Sequence, residues 1–276
     1  MIRQNSQQED LMAINRATLL MILAMLLPVA LTGCSRRETF DRLEQLEGKE
    51  FAILAGSVCD RLVLEKFPHA KFQYFNTVAD EVLALQTGKV DAVALDEPIL
   101  RVIAKRTTDL YLFPELISAD RYGYAVKPDN PGLRDAIDQT VNELKANGRY
   151  DEMMHRWFSG SGGQVEIPDH VSDGRNGVLK LGTAPVTEPF SYVDGSGRIA
   201  GFDIEMAGQV ARKLGKRLEV VSMDFGALIP ALVSNKVDMI GACIIITEER
   251  ARKVLFSEPY YTGGMGVMVK KASVVP

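Results

Sequence analysis

Cysteine and histidine are scarce, three of each in 276 residues, and none falls in a CxxC or paired Cys/His spacing. No metal site is signalled, and no cofactor is expected. His69, His155 and His170 fall in predicted surface or linker segments, and no Ser-His-Asp or paired-carboxylate arrangement is visible, so the chain does not read as an enzyme. Positive charge is not concentrated: 32 Lys and Arg stand against 36 Asp and Glu, and no basic run marks a predicted helix. Nucleic acid is therefore excluded as a natural partner. The apolar run 17–31 is uncharged for 15 residues but interrupted by Pro28, too short for a comfortable bilayer span. What is present is ordinary: 46% apolar and 25% charged residues exclude bulk disorder, in a length suited to one large domain or two lobes.

Residues 1–33 read as a signal peptide built on that apolar run. Leu31-Thr32-Gly33-Cys34 resembles the lipobox of bacterial lipoproteins, which implies lipidation of Cys34, an extracytoplasmic location and a membrane anchor. A chance cysteine behind an ordinary cleaved signal is the alternative. Because Glu9 and Asp10 are unusual before a signal core, Met12 is the expected start. Cys59 and Cys243 remain, and they are expected as small buried thiols rather than a disulfide.

One pattern occurs twice, 147 positions apart. Ala84-Leu85-Gln86-Thr87-Gly88-Lys89-Val90-Asp91 precedes the apolar run 92–95, and Ala231-Leu232-Val233-Ser234-Asn235-Lys236-Val237-Asp238 precedes 239–246. Each is a helix ending at a residue that tolerates a left-handed C-cap, followed by a buried strand. Strands alternate with helical patterns throughout, so each half is expected to be an α/β unit with a parallel sheet. Phe51-Ala52-Ile53-Leu54 opens one unit and 178–181 the other; Asp203 reads as the N-cap of a helix over 204–214. Residues 133–157 read as two helices joined at Asn147-Gly148, and 159–177 is a Gly/Ser/Asp-rich linker.

Several segments together resemble the polar amino-acid family of ABC transporter solute-binding proteins. They are Pro189-Phe190 with Gly201-Phe202-Asp203-Ile204-Glu205; Asp224-Phe225 with Leu228-Ile229-Pro230-Ala231-Leu232; Ile246-Thr247-Glu248-Glu249-Arg250 with Phe256-Ser257-Glu258-Pro259-Tyr260-Tyr261; and Asp91-Ala92-Val93 with Asp96-Glu97. The resemblance implies a two-lobed, periplasmic-binding-protein-like α/β fold that takes an amino acid and serves an ABC permease. Its order is changed: lobe 2 falls at 40–120, the return strand and closing helices at 121–158, the linker at 159–177, lobe 1 at 178–270 and a tail at 271–276. That order implies a circular permutation, with a piece of a tandem array as the alternative.

The resemblance also implies a site. A free amino acid needs a fixed cation and a fixed anion. Arg250 corresponds to the carboxylate-binding Arg and Asp96 to the ammonium ligand. Phe225 is the expected aromatic wall; Gly56, Ser57 and Val58 are expected to offer backbone N–H groups, and Cys243 and Ile245 main-chain contacts. Thr187 and Thr247 complete the set. Ala184-Pro185-Val186-Thr187 lacks the acidic residue of basic-amino-acid members, and Ala242, Cys243 and Ile245 are small or apolar, so a neutral or polar solute is expected over a basic one. Glu188 is the only carboxylate offering general-acid chemistry, should the chain instead resemble the periplasmic dehydratases of this fold. A ligand-sensing module for a membrane partner is the third reading.

Overall fold

The computed structural model describes residues 40–159 and 174–271. The signal segment, Cys34, His170, most of the linker and the tail from 272 lie outside the described residues. In the first half, β1 (Glu50–Leu54), α1 (Cys59–Lys66), β2 (Lys71–Phe75), α2 (Val78–Thr87), β3 (Ala92–Asp96), α3 (Glu97–Arg106) and β4 (Leu110–Leu112) alternate. There follow β5 (Asp120–Tyr122), β6 (Ala125–Val126), α4 (Pro131–Ala146) and α5 (Arg149–Phe158). The second half runs through β7 (Val178–Thr183), β8 (Val186–Thr187), β9 (Ser191–Val193), β10 (Ile199–Ala200), α6 (Phe202–Lys213), β11 (Arg217–Ser222) and α7 (Leu228–Val233). It ends with β12 (Met239–Ile240), α8 (Glu248–Ala251), β13 (Leu255–Phe256), β14 (Tyr261–Gly263) and β15 (Met265–Lys270).

These strands build two five-stranded sheets of one design. The first has the order β2-β1-β3-β15-β4 and the second β11-β7-β12-β6-β13. In each, three parallel strands carry a fourth, antiparallel strand supplied by the other half of the chain: β15 beside β3, and β6 beside β12. The chain thus crosses between a β1 lobe and a β7 lobe in both directions. The crossings, β5 and β14, pair antiparallel through Tyr122 and Tyr261.

The repeat seen in the sequence is a repeat of structure. Gly88 and Asn235 both stand in the left-handed region, at φ 74° and 63°. The aspartate that follows ties the sheet: Asp91 accepts the Glu50 N–H at 3.0 Å, and Asp238 accepts the Lys180 N–H at 2.7 Å. In each case the amide belongs to the residue just before the ladder begins, at Phe51 with Ala92 and at Leu181 with Met239, so a short polar side chain satisfies a group the ladder does not reach.

Helix α6 is buried on every face from Phe202 to Ala211, because the β7 sheet lies on one side and α4 and α5 cover the other. Its buried Glu205 is tolerated because the Arg156 guanidinium (2.6 and 2.8 Å) and the Trp157 indole N–H (2.7 Å) both bond to it. The helix starts two residues before the expected 204, at Phe202, with Gly201 as its cap. Gly201 sits at φ 133°, and a Cβ there would lie 2.2 Å from the Phe190 carbonyl oxygen, so this turn needs glycine. Asp203 is therefore inside the helix and does not cap it. It is fully buried, and its carboxylate accepts the Cys243 amide at 2.7 Å. Burial pushes the Asp203 carboxyl up to about 7.

Candidate functional site

In a parallel sheet the loops after the carboxyl ends of the strands form the natural crevice. Here both sheets turn those ends toward each other. Asp96 is the last residue of β3, Gly56 and Ser57 follow β1, the segment 241–245 follows β12, and α8 carries Arg250. Ser57, Val58 and Asp96 from the β1 lobe share one cavity with Thr187, Phe225, Cys243, Ile245 and Arg250 from the β7 lobe. The enclosed space is about 10 Å³. A single water needs roughly 10–15 Å³ by this measure, so the lobes must part to admit an organic solute.

Arg250 is 7% exposed and carries the cavity's positive charge. Its guanidinium donates to the Ile245 carbonyl at 2.9 Å and reaches across to the Gly56 carbonyl at 3.4 Å. It also lies over the Phe225 ring, 5.6 Å from the centroid, an arrangement that fixes the fork through cation–π attraction. Burial lowers its pKa, as it must for a desolvated cation. Thr247 does not line the cavity; its hydroxyl accepts the Arg250 backbone N–H and caps α8, which positions the guanidinium from behind.

Asp96 is equally buried, and it does not cap α3, although Pro98 follows it in the first turn. Its carboxylate accepts the Tyr122 phenol O–H at 2.5 Å, and the Cys243 side chain lies beside it. Burial, the largest cause, raises its pKa to about 6. Tyr122 itself stacks on Phe190 and packs at a tilt against Tyr261 at the crossing strands, so the anion is anchored on the hinge. No ion pair joins Asp96 to Arg250. The two opposite charges face the same cavity from different lobes and remain available to a third party.

Other expectations are corrected by where the backbone bonds go. The Cys243 N–H is turned away, to Asp203, by a left-handed φ of 52°, and so offers nothing to a solute. The Ile245 carbonyl is taken by Arg250. The Ser57 N–H bonds to the Leu54 carbonyl at 3.0 Å, which leaves Gly56 and Val58 as the unspent amides of this turn. Glu188 is clamped by the Arg106 guanidinium through two bonds of 2.6 Å, and Glu97 is held by Arg101. His69 is exposed and bonded to Glu47, and His155 is exposed on α5. Among the described residues no His, Cys, Asp and Glu cluster is arranged to hold a metal, and no helix is long and apolar enough to cross a membrane.

Three residues at or near the site escaped the sequence reading. Cys59 lines the cavity opposite Cys243, both thiols being free and buried. Tyr122 supplies the bond to Asp96. Glu81 is buried on the apolar face of α2 with Val78, Ala84 and Leu85, a position where a charged residue was the available signal.

Residues 179–275 match the bacterial extracellular solute-binding proteins, family 3. This last third of the chain is similar to that family. The two five-stranded sheets with their helices form a two-lobed, periplasmic-binding-protein-like α/β fold. The arginine-binding extracellular protein ArtP of Bacillus subtilis is 42% identical over 95 residues, 34% of this chain and 37% of that protein. The ABC transporter glutamine-binding protein GlnH of the same organism is 30% identical over 112 residues, 41% of each chain. Among solved structures, the arginine-bound form of domain 1 of TmArgBP is 40% identical, with 35% of this chain and 82% of that one covered at a TM-score of 0.32. The chain spans well under half the length of the curated relatives it matches.

Proposed function

We propose that this protein captures an amino acid between its two lobes outside the cytoplasm and delivers it to an ABC importer. One observation carries the reading: Asp96 and Arg250, both buried and not paired with each other, line one cavity from opposite lobes. A buried charge without an opposite charge is expensive, and a zwitterion satisfies both at once. Relatives named for binding arginine and glutamine support amino acids as the class. The neutral-solute expectation rests on Ala184-Pro185-Val186-Thr187 and on the small residues facing the cavity.

Closure follows the same logic. Few contacts cross the lobes at the mouth: Arg61 with Glu249 at 3.0 Å, Arg106 with Glu188, and the backbones of Gly56 and Gly226, so close that a Cβ on Gly56 would lie 2.5 Å from the Gly226 Cα. Exposed ion pairs contribute only ~0.2–1 kcal/mol each. The solute's bonds to both lobes therefore decide the open-to-closed equilibrium. With Glu188 tied to Arg106, the carboxylate that offered general-acid chemistry is engaged elsewhere, which favours binding over a dehydratase reaction.

Anchoring through Cys34, an extracytoplasmic location and the permuted lobe order belong to the same proposal. The family match at 179–275, in the last part of the chain, supports the permuted order. The test is a thermal-shift screen against the twenty amino acids. A solute at 100 times its Kd stabilises by about 2.7 kcal/mol, several degrees for a chain of this size. Absence of any shift from every amino acid at millimolar concentration would refute the proposal. Arg250→Ala is expected to abolish the shift.

A further inference from the structure

Behind the residues that line the cavity, the β1 lobe buries one more carboxylate, which the amino-acid backbone of a solute does not use. Glu81 is fully buried, and neither of its carboxylate oxygens has a hydrogen-bond partner. It has no structural duty at the helix end, because Thr77 already caps α2 by accepting the Asp80 N–H at 3.1 Å. A purely structural site on this face would take an aliphatic side chain, as Val78, Ala84 and Leu85 beside it do.

Its placement points at the cleft. Strands β1, β2 and β3 are parallel, so the first turn of α2, which follows β2, lies at the same sheet edge as Gly56 and Asp96. Glu81 feels the charge of Asp96, and Cys59 feels that of Glu81; Asp96 and Cys59 both line the cavity. On its other side α2 touches β8 of the opposite lobe, whose Thr187 is part of the cavity wall. A solute whose ammonium meets Asp96 and whose carboxylate meets Arg250 therefore leaves Glu81 near its side chain.

We propose that Glu81 is the specificity-determining residue of the cleft, and that it accepts N–H bonds from a cationic side chain. The solute class is then a basic amino acid, held as a doubly cationic, singly anionic species by two carboxylates and one guanidinium. This inference rests on the proposed function, and it replaces the neutral solute expected from Ala184-Pro185-Val186-Thr187. The sequence pattern there lacks an acid because the acid comes from the other lobe.

Calorimetry with matched pairs tests it: arginine against citrulline, and lysine against norleucine, in the wild type and in Glu81→Gln and Glu81→Leu. The wild type is expected to prefer the charged member about 30-fold or more, since the loss of one partner of a buried charge pair is at least that large. Both variants are expected to bring the ratio below about 5-fold while citrulline or norleucine binds as well as before or better. Equal binding of charged and neutral members by the wild type overturns the assignment while leaving the amino-acid reading intact. So does an unchanged ratio in a folded Glu81→Gln. Binding of neither member, together with no response in the amino-acid screen, overturns both.

Discussion

Replacing Asp96 by Asn should change how stability depends on pH in a way that can be worked out from the site. The carboxyl is ordinarily near 3.8, and burial raises it to about 6 in the folded protein. A raised carboxyl pKa means that the folded state holds a proton which the unfolded chain has already released. Between those two values stability therefore falls as pH rises, and above the folded value the loss is complete. From pH 4.5 to 7.5, about 1.5 pH units lie below the folded value, so Asp96 alone should remove about 2 kcal/mol of stability over that span. Asn keeps an oxygen for the Tyr122 phenol but cannot ionise. Urea unfolding of the solute-free protein at the two pH values measures the difference. Asp96→Asn should show a fall smaller by about 2 kcal/mol and should bind amino acids poorly. The reasoning is refuted if both proteins lose stability equally, or if the variant is the weaker one at pH 7.5. Asp203, raised to about 7, adds its own decline to both proteins and cancels in the comparison.

Other consequences are simpler to state. Arg106→Ala breaks an exposed interlobe pair and should weaken solute affinity by no more than about 1 kcal/mol, with part of the effect vanishing at high salt; calorimetry at two ionic strengths reads this. Cys59 and Cys243 are buried in the closed cavity, so in a Cys34→Ala background both should react with a thiol reagent slowly, and more slowly still with saturating solute; solute-independent labelling would contradict a site between them. Gly201→Ala should destabilise by at least about 1 kcal/mol in urea without altering the solute preference, since it strains the entry to α6 and not the cleft. Arg250→Lys keeps the charge but loses the fork over Phe225, and should recover little of the affinity lost by Arg250→Ala.

The architecture was legible where local chemistry and tertiary structure agree. Gly88 and Asn235 mark helix ends because few residues accept that backbone, and the aspartate after each ties a strand, so the 147-residue repeat read as two α/β units. Asp96 and Arg250 stood out because their neighbours resemble a known pattern. What failed were assignments that depend on where a group finds its partner. Asp203 has the character of a cap, but Gly201 starts the helix and the carboxylate goes to Cys243. Cys243 was expected to offer main-chain contacts, and its left-handed backbone turns the amide away to Asp203. Glu188 was read as a carboxylate open to general-acid chemistry, and its partner Arg106 lies 82 positions away on the other lobe. Glu81 was passed over because a helix accepts glutamate readily, and only burial reveals that it is unpaired.

The zwitterion clamp itself is tested by trimming the solute. For the best-binding amino acid, calorimetry should compare it with the amine that lacks its carboxylate and with the acid that lacks its ammonium. Each trimmed analogue should bind about 30-fold more weakly or worse, and Arg250→Ala should erase the difference between the amino acid and the amine. Analogues that bind as tightly as the parent, or an Arg250→Ala protein that still distinguishes them, would contradict the account.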